Sequence, residues 1–162
     1  TPSISPSMDI QVSSNFERAL FDAYDRDAGA VAQLMDELGQ GGFDVSQGAM
    51  HSLQDTYRSG RASEEETSAT ITDRRRTTGE LLCPHSAVGV KVADELRDPA
   101  TPMVTLATAH PAKFPDAGEA ATGIPPPLPP RMADLFDREE RFTRLPNDLD
   151  ALKAHIKGNL PA

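Results

Sequence analysis

The sequence predicts an α/β chain that is mostly helical, with few strands. Apolar residues recur at helical spacing over much of the 162 residues, in stretches bounded by cap residues or glycines. One short apolar run, Met103 to Ala107, has the length and composition of a strand. Only 38% of the residues are hydrophobic, with no Trp and 14 Pro, which is thin for a self-contained core. The strand is therefore expected to belong to a larger sheet, and the chain to pack against a further segment. The chain opens on Thr1, as expected of a processed product or a piece of a larger gene.

The elements follow in order. Phe16, Leu20 and Tyr24 share one face of a first helix. Val31, Leu34, Met35 and Leu38 form a second stripe, ended by Gly39 and Gly41-Gly42. Met50, Leu53 and Tyr57 suggest a third helix. Ser63 and Glu66 make a capping box that opens a fourth, running toward Gly79. That helix has little apolar face beyond Ala69 and Ile71, so it is expected at the surface. Pro84 stands at a helix start, and Val88, Val92 and Leu96 continue it as one stripe. After the expected strand, a short helix spans Pro115 to Thr122 and is closed by Gly123. Pro125 to Pro130 form a stiff connector, for which a ligand of a polyproline-reading domain is the weaker reading. Asn147 is expected to cap a last helix carrying Leu149, Leu152 and Ile156. This divides the chain into residues 1–123, one body, and 124–162, the proline-rich connector and carboxyl-terminal helix.

The formal net charge of −9 argues against nucleic acid and anionic membranes as partners, because both require clustered Lys and Arg. Arg74, Arg75 and Arg76 are the densest basic run, and they follow Glu64, Glu65 and Glu66 on what reads as a solvated helix face. The single cysteine, Cys83, permits no internal disulfide and fits a reducing cytoplasm. No apolar run approaches the roughly 20 residues that span a bilayer. His51, His85, His110 and His155 lie too far apart to suggest a metal site. Cys83 and His85 also lack the arrangement that a thiol nucleophile and its base require.

Three stretches carry chemistry. Val104 to Phe114 reads V-T-L-A-T-A-H-P-A-K-F: an apolar run ending at a polar, small-residue cluster. It reads either as a strand delivering side chains to a site at its carboxyl end or as an ordinary strand and turn. Ser5 to Arg18 reads S-P-S-M-D-I-Q-V-S-S-N-F-E-R, and Cys83 to Gly89 reads C-P-H-S-A-V-G. With the ending D-L-F-D-R-E-E-R-F-T-R-L-P-N-D, Asp134 to Asp148, these stretches in series resemble the carboxyl-terminal portion of threonine synthase, the long-chain form of bacteria and fungi.

That resemblance implies a fold like the tryptophan synthase β-subunit, with residues 1–123 part of its pyridoxal-phosphate-binding catalytic domain. It implies conversion of O-phospho-L-homoserine and water to L-threonine and phosphate, phosphate leaving the γ-carbon and water adding at the β-carbon. Pyridoxal phosphate is the implied cofactor and electron sink. In this fold its ring nitrogen meets a hydroxyl, and Thr108 is the implied partner; the alternative is that Thr108 only caps the strand end. Ser14, Asn15 and Arg18, with Ser13, form a donor-rich helix start suited to the substrate phosphate, or one of them simply caps the helix. His85 is a candidate for proton transfer, with a hydrogen-bonded structural histidine as the competing reading. Cys83 stands where relatives often carry an acid. Lys113 is expected to be structural or solvent-facing, because the family's Schiff-base lysine and phosphate loop lie upstream. The chain is accordingly expected to be inactive alone, its partner being the amino-terminal part of the same enzyme. Other readings are another pyridoxal-phosphate lyase or dehydratase of this fold, or a non-catalytic interaction module.

Overall fold

The computed structural model describes residues 2–10 and 13–160. Gln11 and Val12, inside the Ser5–Arg18 stretch, lie outside the described residues. Seven α-helices are present among those described: α1 Ser14–Ala23, α2 Ala28–Gly39, α3 Gln47–Thr56, α4 Glu64–Thr78, α5 Pro84–Leu96, α6 Pro115–Thr122 and α7 Leu149–Gly158. The chain forms two compact units, residues 1–127 and 128–162.

Two helical clusters build the first unit. In one, α1 packs on α2 and α3, burying Leu20, Leu34 and Ala49. The link from α1 to α2 turns through Asp25 and Arg26, both at positive φ, before Asp27 caps α2 by accepting from the Gly29 and Ala30 amides. The Tyr24 hydroxyl accepts the Ser46 amide at 2.9 Å and so ties α1 to the start of α3. On α3 the small Ala49, not Met50, is the buried side chain.

The other cluster places α4 between α5 and α6. Most of α4 is exposed, as its polar sequence suggests, but one face is packed. Thr67 and Ile71, four residues apart and so on one face, are both buried, Ile71 completely at 0% exposure. The helix tolerates so polar a sequence because its threonines bond inward. Hydroxyls of Thr67, Thr70, Thr72, Thr77 and Thr78 each donate to the carbonyl four residues back. Thr72 also reaches the Ala121 carbonyl on α6 at 2.7 Å. The capping box is present: Ser63 accepts the Glu66 amide and Glu66 accepts the Ser63 amide. Gly79 and Gly123 end α4 and α6 at φ of 79° and 71°, a region that L side chains rarely adopt. Lys91 on α5 bridges Glu66 and Glu95 and donates to the Arg61 carbonyl, holding the loop before α4 against α5.

The segment from Met103 to Ala107 forms no strand among the described residues. Instead of lying between layers, Val104 and Leu106 are 79% and 76% exposed. A strand exists only when a neighbour completes its ladder, and no described segment pairs with this one. The Thr105 methyl passes close to Gly89, where a Cβ would come within 3.3 Å. The fold is thus mostly helical, as in a carboxyl-terminal piece of an α/β fold, and the few expected strands reduce to none among the described residues.

In the second unit, the proline-rich approach leads to short turns at Pro130–Met132 and Leu135–Asp137, then to α7. Asp148, not Asn147, caps α7 by accepting the Ala151 amide at 2.7 Å. Leu149, Leu152 and Ile156 on α7 are exposed.

Candidate functional site

The start of α5 sets the site. Pro84 occupies its first turn, where a missing N–H is harmless. Cys83 is the cap, its Sγ accepting the Ser86 amide at 3.4 Å. Residues 83–88 are all buried, so this turn is rigidly held. Ser86 then meets the chain leaving the extended segment: its Oγ accepts the Thr108 amide at 3.1 Å. With that lone pair used, the Ser86 O–H is free to donate to Cys83 Sγ, 3.1 Å away, or to Thr108 Oγ1, 3.4 Å away. Thr108 Oγ1 lies 4.0 Å from Cys83 Sγ. Thr108 Oγ1 is thus set among hydroxyl and sulfur neighbours, and either it or Ser86 can donate along their 3.4 Å contact.

Thr108 and His85 line one cavity of about 890 Å³. Val88, Val92 and Leu96 of α5 give it an apolar wall, and Ser7 and Met8 contribute from the amino-terminal segment. Two cations, Arg58 and Lys113, line it, and among the described residues no Asp or Glu does. In a chain of net charge −9, that local reversal of sign favours an anion. Sequence reading passed over Arg58, a lone arginine after α3 with no pattern to single it out. Lys113 is exposed, as expected, but it also faces this cavity.

His85 is 6% exposed and packs against Phe114, with ring centroids 4.5 Å apart and the planes tilted by 51°. Its Nε2 accepts the Ser7 amide at 3.0 Å, and its Nδ1 is buried with no partner among the described residues. Burial, and then the nearby Lys113 charge, push its pKa below the ordinary 6.5, with Asp9 opposing. One ring nitrogen is thus engaged and the other enclosed, the arrangement of a hydrogen-bonded histidine.

Ser14, Asn15 and Arg18 sit on the first turns of α1, where Arg18 Nη1 donates to Asn15 Oδ1 at 3.3 Å. Ser13 is the cap position, without a side-chain capping bond. None of these four lines the Thr108 cavity. Among the described residues no three His, Cys, Asp or Glu side chains gather as metal ligands, and no helix is long and apolar enough to cross a membrane.

The family model "Threonine synthase, C-terminal" matches residues 86–156, from the Ser86 hydroxyl to the last helix. The chain is 49% identical over 158 residues to the threonine synthase of Pseudomonas aeruginosa and 41% identical over 157 residues to that of Corynebacterium glutamicum. The chain belongs to the threonine synthase family. These alignments take in 96% and 94% of the chain but only 34% and 33% of the relatives, so it spans about a third of their length. Among solved structures it is similar to the threonine synthase of Brucella melitensis with bound PLP, with a TM-score of 0.85, 49% identity, and coverage of 98% of this chain and 34% of that one. The yeast threonine synthase follows with a TM-score of 0.79, 29% identity, and coverage of 97% and 36%.

Proposed function

We propose that this chain forms the carboxyl-terminal wall of a threonine synthase active site, in which O-phospho-L-homoserine and water become L-threonine and phosphate. The observation that carries the proposal is the exposed Thr108 hydroxyl on a cavity that, among the described residues, is lined by two cations and no carboxylate. The donor set suits pyridoxal phosphate at its ring nitrogen. Thr108 offers an O–H, and its own partners, Ser86 and Cys83, are neutral. When bound, the cofactor supplies an electron sink for carbanion chemistry on the substrate carbons. Thr108 would hold the ring nitrogen without fully protonating it. Ser86 orients that hydroxyl through the Thr108 amide. The apolar Val88, Val92 and Leu96 wall would limit water beside the bound group, which strengthens polar contacts inside.

Arg58 and Lys113 would meet the anionic groups of the substrate inside the cavity. Ser14, Asn15 and Arg18 remain a second donor set for the phosphate, placed on α1. The reaction would be completed by the amino-terminal part of the same enzyme, and this chain alone would not turn over. The setting we propose is the cytoplasm, where Cys83 stays a thiol.

The test is an absorbance titration of the chain with pyridoxal phosphate, with and without the amino-terminal part of a threonine synthase supplied in trans. A bound-cofactor band and phosphate release from O-phosphohomoserine in the mixture only is the expected result. A mixture that is folded and associated, yet shows neither, would overturn the proposal.

A further inference from the structure

The amino-terminal segment is held on the helical body by contacts that converge near one imidazole. Ser3 closes a local ring, its amide and hydroxyl donating to the two Asp9 carboxylate oxygens at 2.7 and 2.9 Å. The Ile4 amide donates to Glu64 Oε1 on α4 at 2.8 Å. The Ser7 amide, at the tip of the Pro6–Met8 turn, donates to His85 Nε2, 78 residues along the chain. An imidazole nitrogen that accepts an N–H carries no proton, so the neutral ring must hold its proton on Nδ1. That Nδ1 is enclosed, and the ring rests against Phe114. Ser7, Met8 and Phe114 all line the Thr108 cavity, so one histidine braces two of its sides.

We propose that His85 is a positioning residue: as the neutral Nδ1-protonated tautomer it latches the Pro6–Met8 turn in place as a wall of the Thr108 cavity, and its protonation opens that latch. Protonation puts a second N–H against the Ser7 amide, so donor meets donor where a hydrogen bond had been. The charged groups around the ring act in opposite senses. Lys113, on the turn after Thr108, disfavours the imidazolium, while Asp9, on the latched segment, favours it. Glu64 on α4 is already engaged by the Ile4 amide. Cys83, the cap residue just before α5, turns its sulfur toward Ser86 and Thr108. Burial of the ring also works against its charging. The latch therefore holds at neutral pH and releases in acid.

The experiment needs only the chain itself. Long-range 15N–1H correlation on the wild type reads the His85 tautomer directly. Amide hydrogen exchange, expressed as protection at each pH, reads the Ser7 N–H. The expected result is an Nδ1-protonated ring at neutral pH, with Ser7 protection falling roughly tenfold as the ring titrates, while the Ile71 amide inside α4 keeps its protection. His85→Gln keeps an acceptor that does not titrate, and should retain Ser7 protection with the pH dependence abolished. His85→Phe keeps the ring packing and should lose that protection at every pH. An Nε2-protonated ring at neutral pH, or Ser7 protection equal in His85→Phe and wild type, would overturn the latch. The tautomer measurement needs no variant, so misfolding of either one leaves the proposal open to refutation. That the latched wall faces a substrate rests on the proposed function. A latch without cofactor binding would leave this inference standing and sink that one.

Discussion

The Thr108 hydroxyl is exposed and weakly engaged, and that makes it useful. A hydroxyl fully committed to partners inside the protein has nothing left for a ligand. Replacing it by Val keeps the shape and removes the donor. Thr108→Val is expected to weaken pyridoxal phosphate binding by the mixed, complemented enzyme about tenfold, one neutral hydrogen bond, with helix content by circular dichroism unchanged. Lys113 is expected to act on substrate and not on cofactor. Lys113→Ala should raise KM for O-phosphohomoserine roughly tenfold or more, as for loss of a charged hydrogen bond, with kcat little altered in steady-state assays. Equal losses in both constants would instead place Lys113 at the reacting carbons. At the core, Ile71 is the largest aliphatic side chain of α4 and is fully enclosed. Ile71→Ala should cost about 3 kcal/mol by urea denaturation. This is a large share of the stability of so thin a core.

At the scale of elements, most helices were legible in the sequence because caps and breakers act locally. Ser63 with Glu66, Gly79, Pro84 and Gly123 each do in the structure what their chemistry dictates. The packed face of α4 was legible at Ile71 but not at Thr67. A hydropathy stripe counts Thr as polar, yet a threonine bonded to its own helix carries its polarity inward and can face a neighbour. Asp148 displaced Asn147 as a cap because adjacent residues compete for that position and the spacing alone does not choose. The strand failed for the opposite reason: its residues are suited to a ladder, but a ladder is a property of two chains or two segments, never of one. Exposed Val104 and Leu106 then make this run an open edge. Leu106→Lys is accordingly expected to reduce self-association of the isolated chain in light scattering. The same change should impair its pairing with the amino-terminal part. Half of the candidate site was readable in the same limited way. Thr108, Ser86, Ser7 and Met8 sit inside recognisable stretches, whereas Arg58 does not, and tertiary packing that no local pattern encodes decides which of them meet.

For the whole molecule, the titrating groups define a pH window. His85 has its pKa lowered by burial and then by Lys113. The unfolded chain therefore binds the proton more readily, and stability is lost as pH falls below about 6.5, the ordinary histidine value. Asp9, Glu65, Glu66 and Asp134 are lowered by their hydrogen bonds, from Ser3, from a backbone amide with Ser63, from Ser63 with Lys91, and from Arg138 respectively, and add a further loss in stronger acid. Lys91 is raised by Glu95 and Glu66, so its contribution is present below 10.5 and disappears above its raised pKa. Denaturation midpoints across pH should thus be highest between roughly 7 and 10, with the first acid decline removed in His85→Gln. The described core has a different consequence. Only seven hydrophobic side chains are buried, and three of them are Ala49, Cys83 and Ala87. Heat capacity on unfolding scales with the apolar surface newly wetted, ordinarily about 12–15 cal/mol/K per residue. With so little to wet, this chain should fall well short of that figure. Its stability curve is then shallow: cooling does little to loosen it, and heating dissolves it gradually over a wide range of temperature.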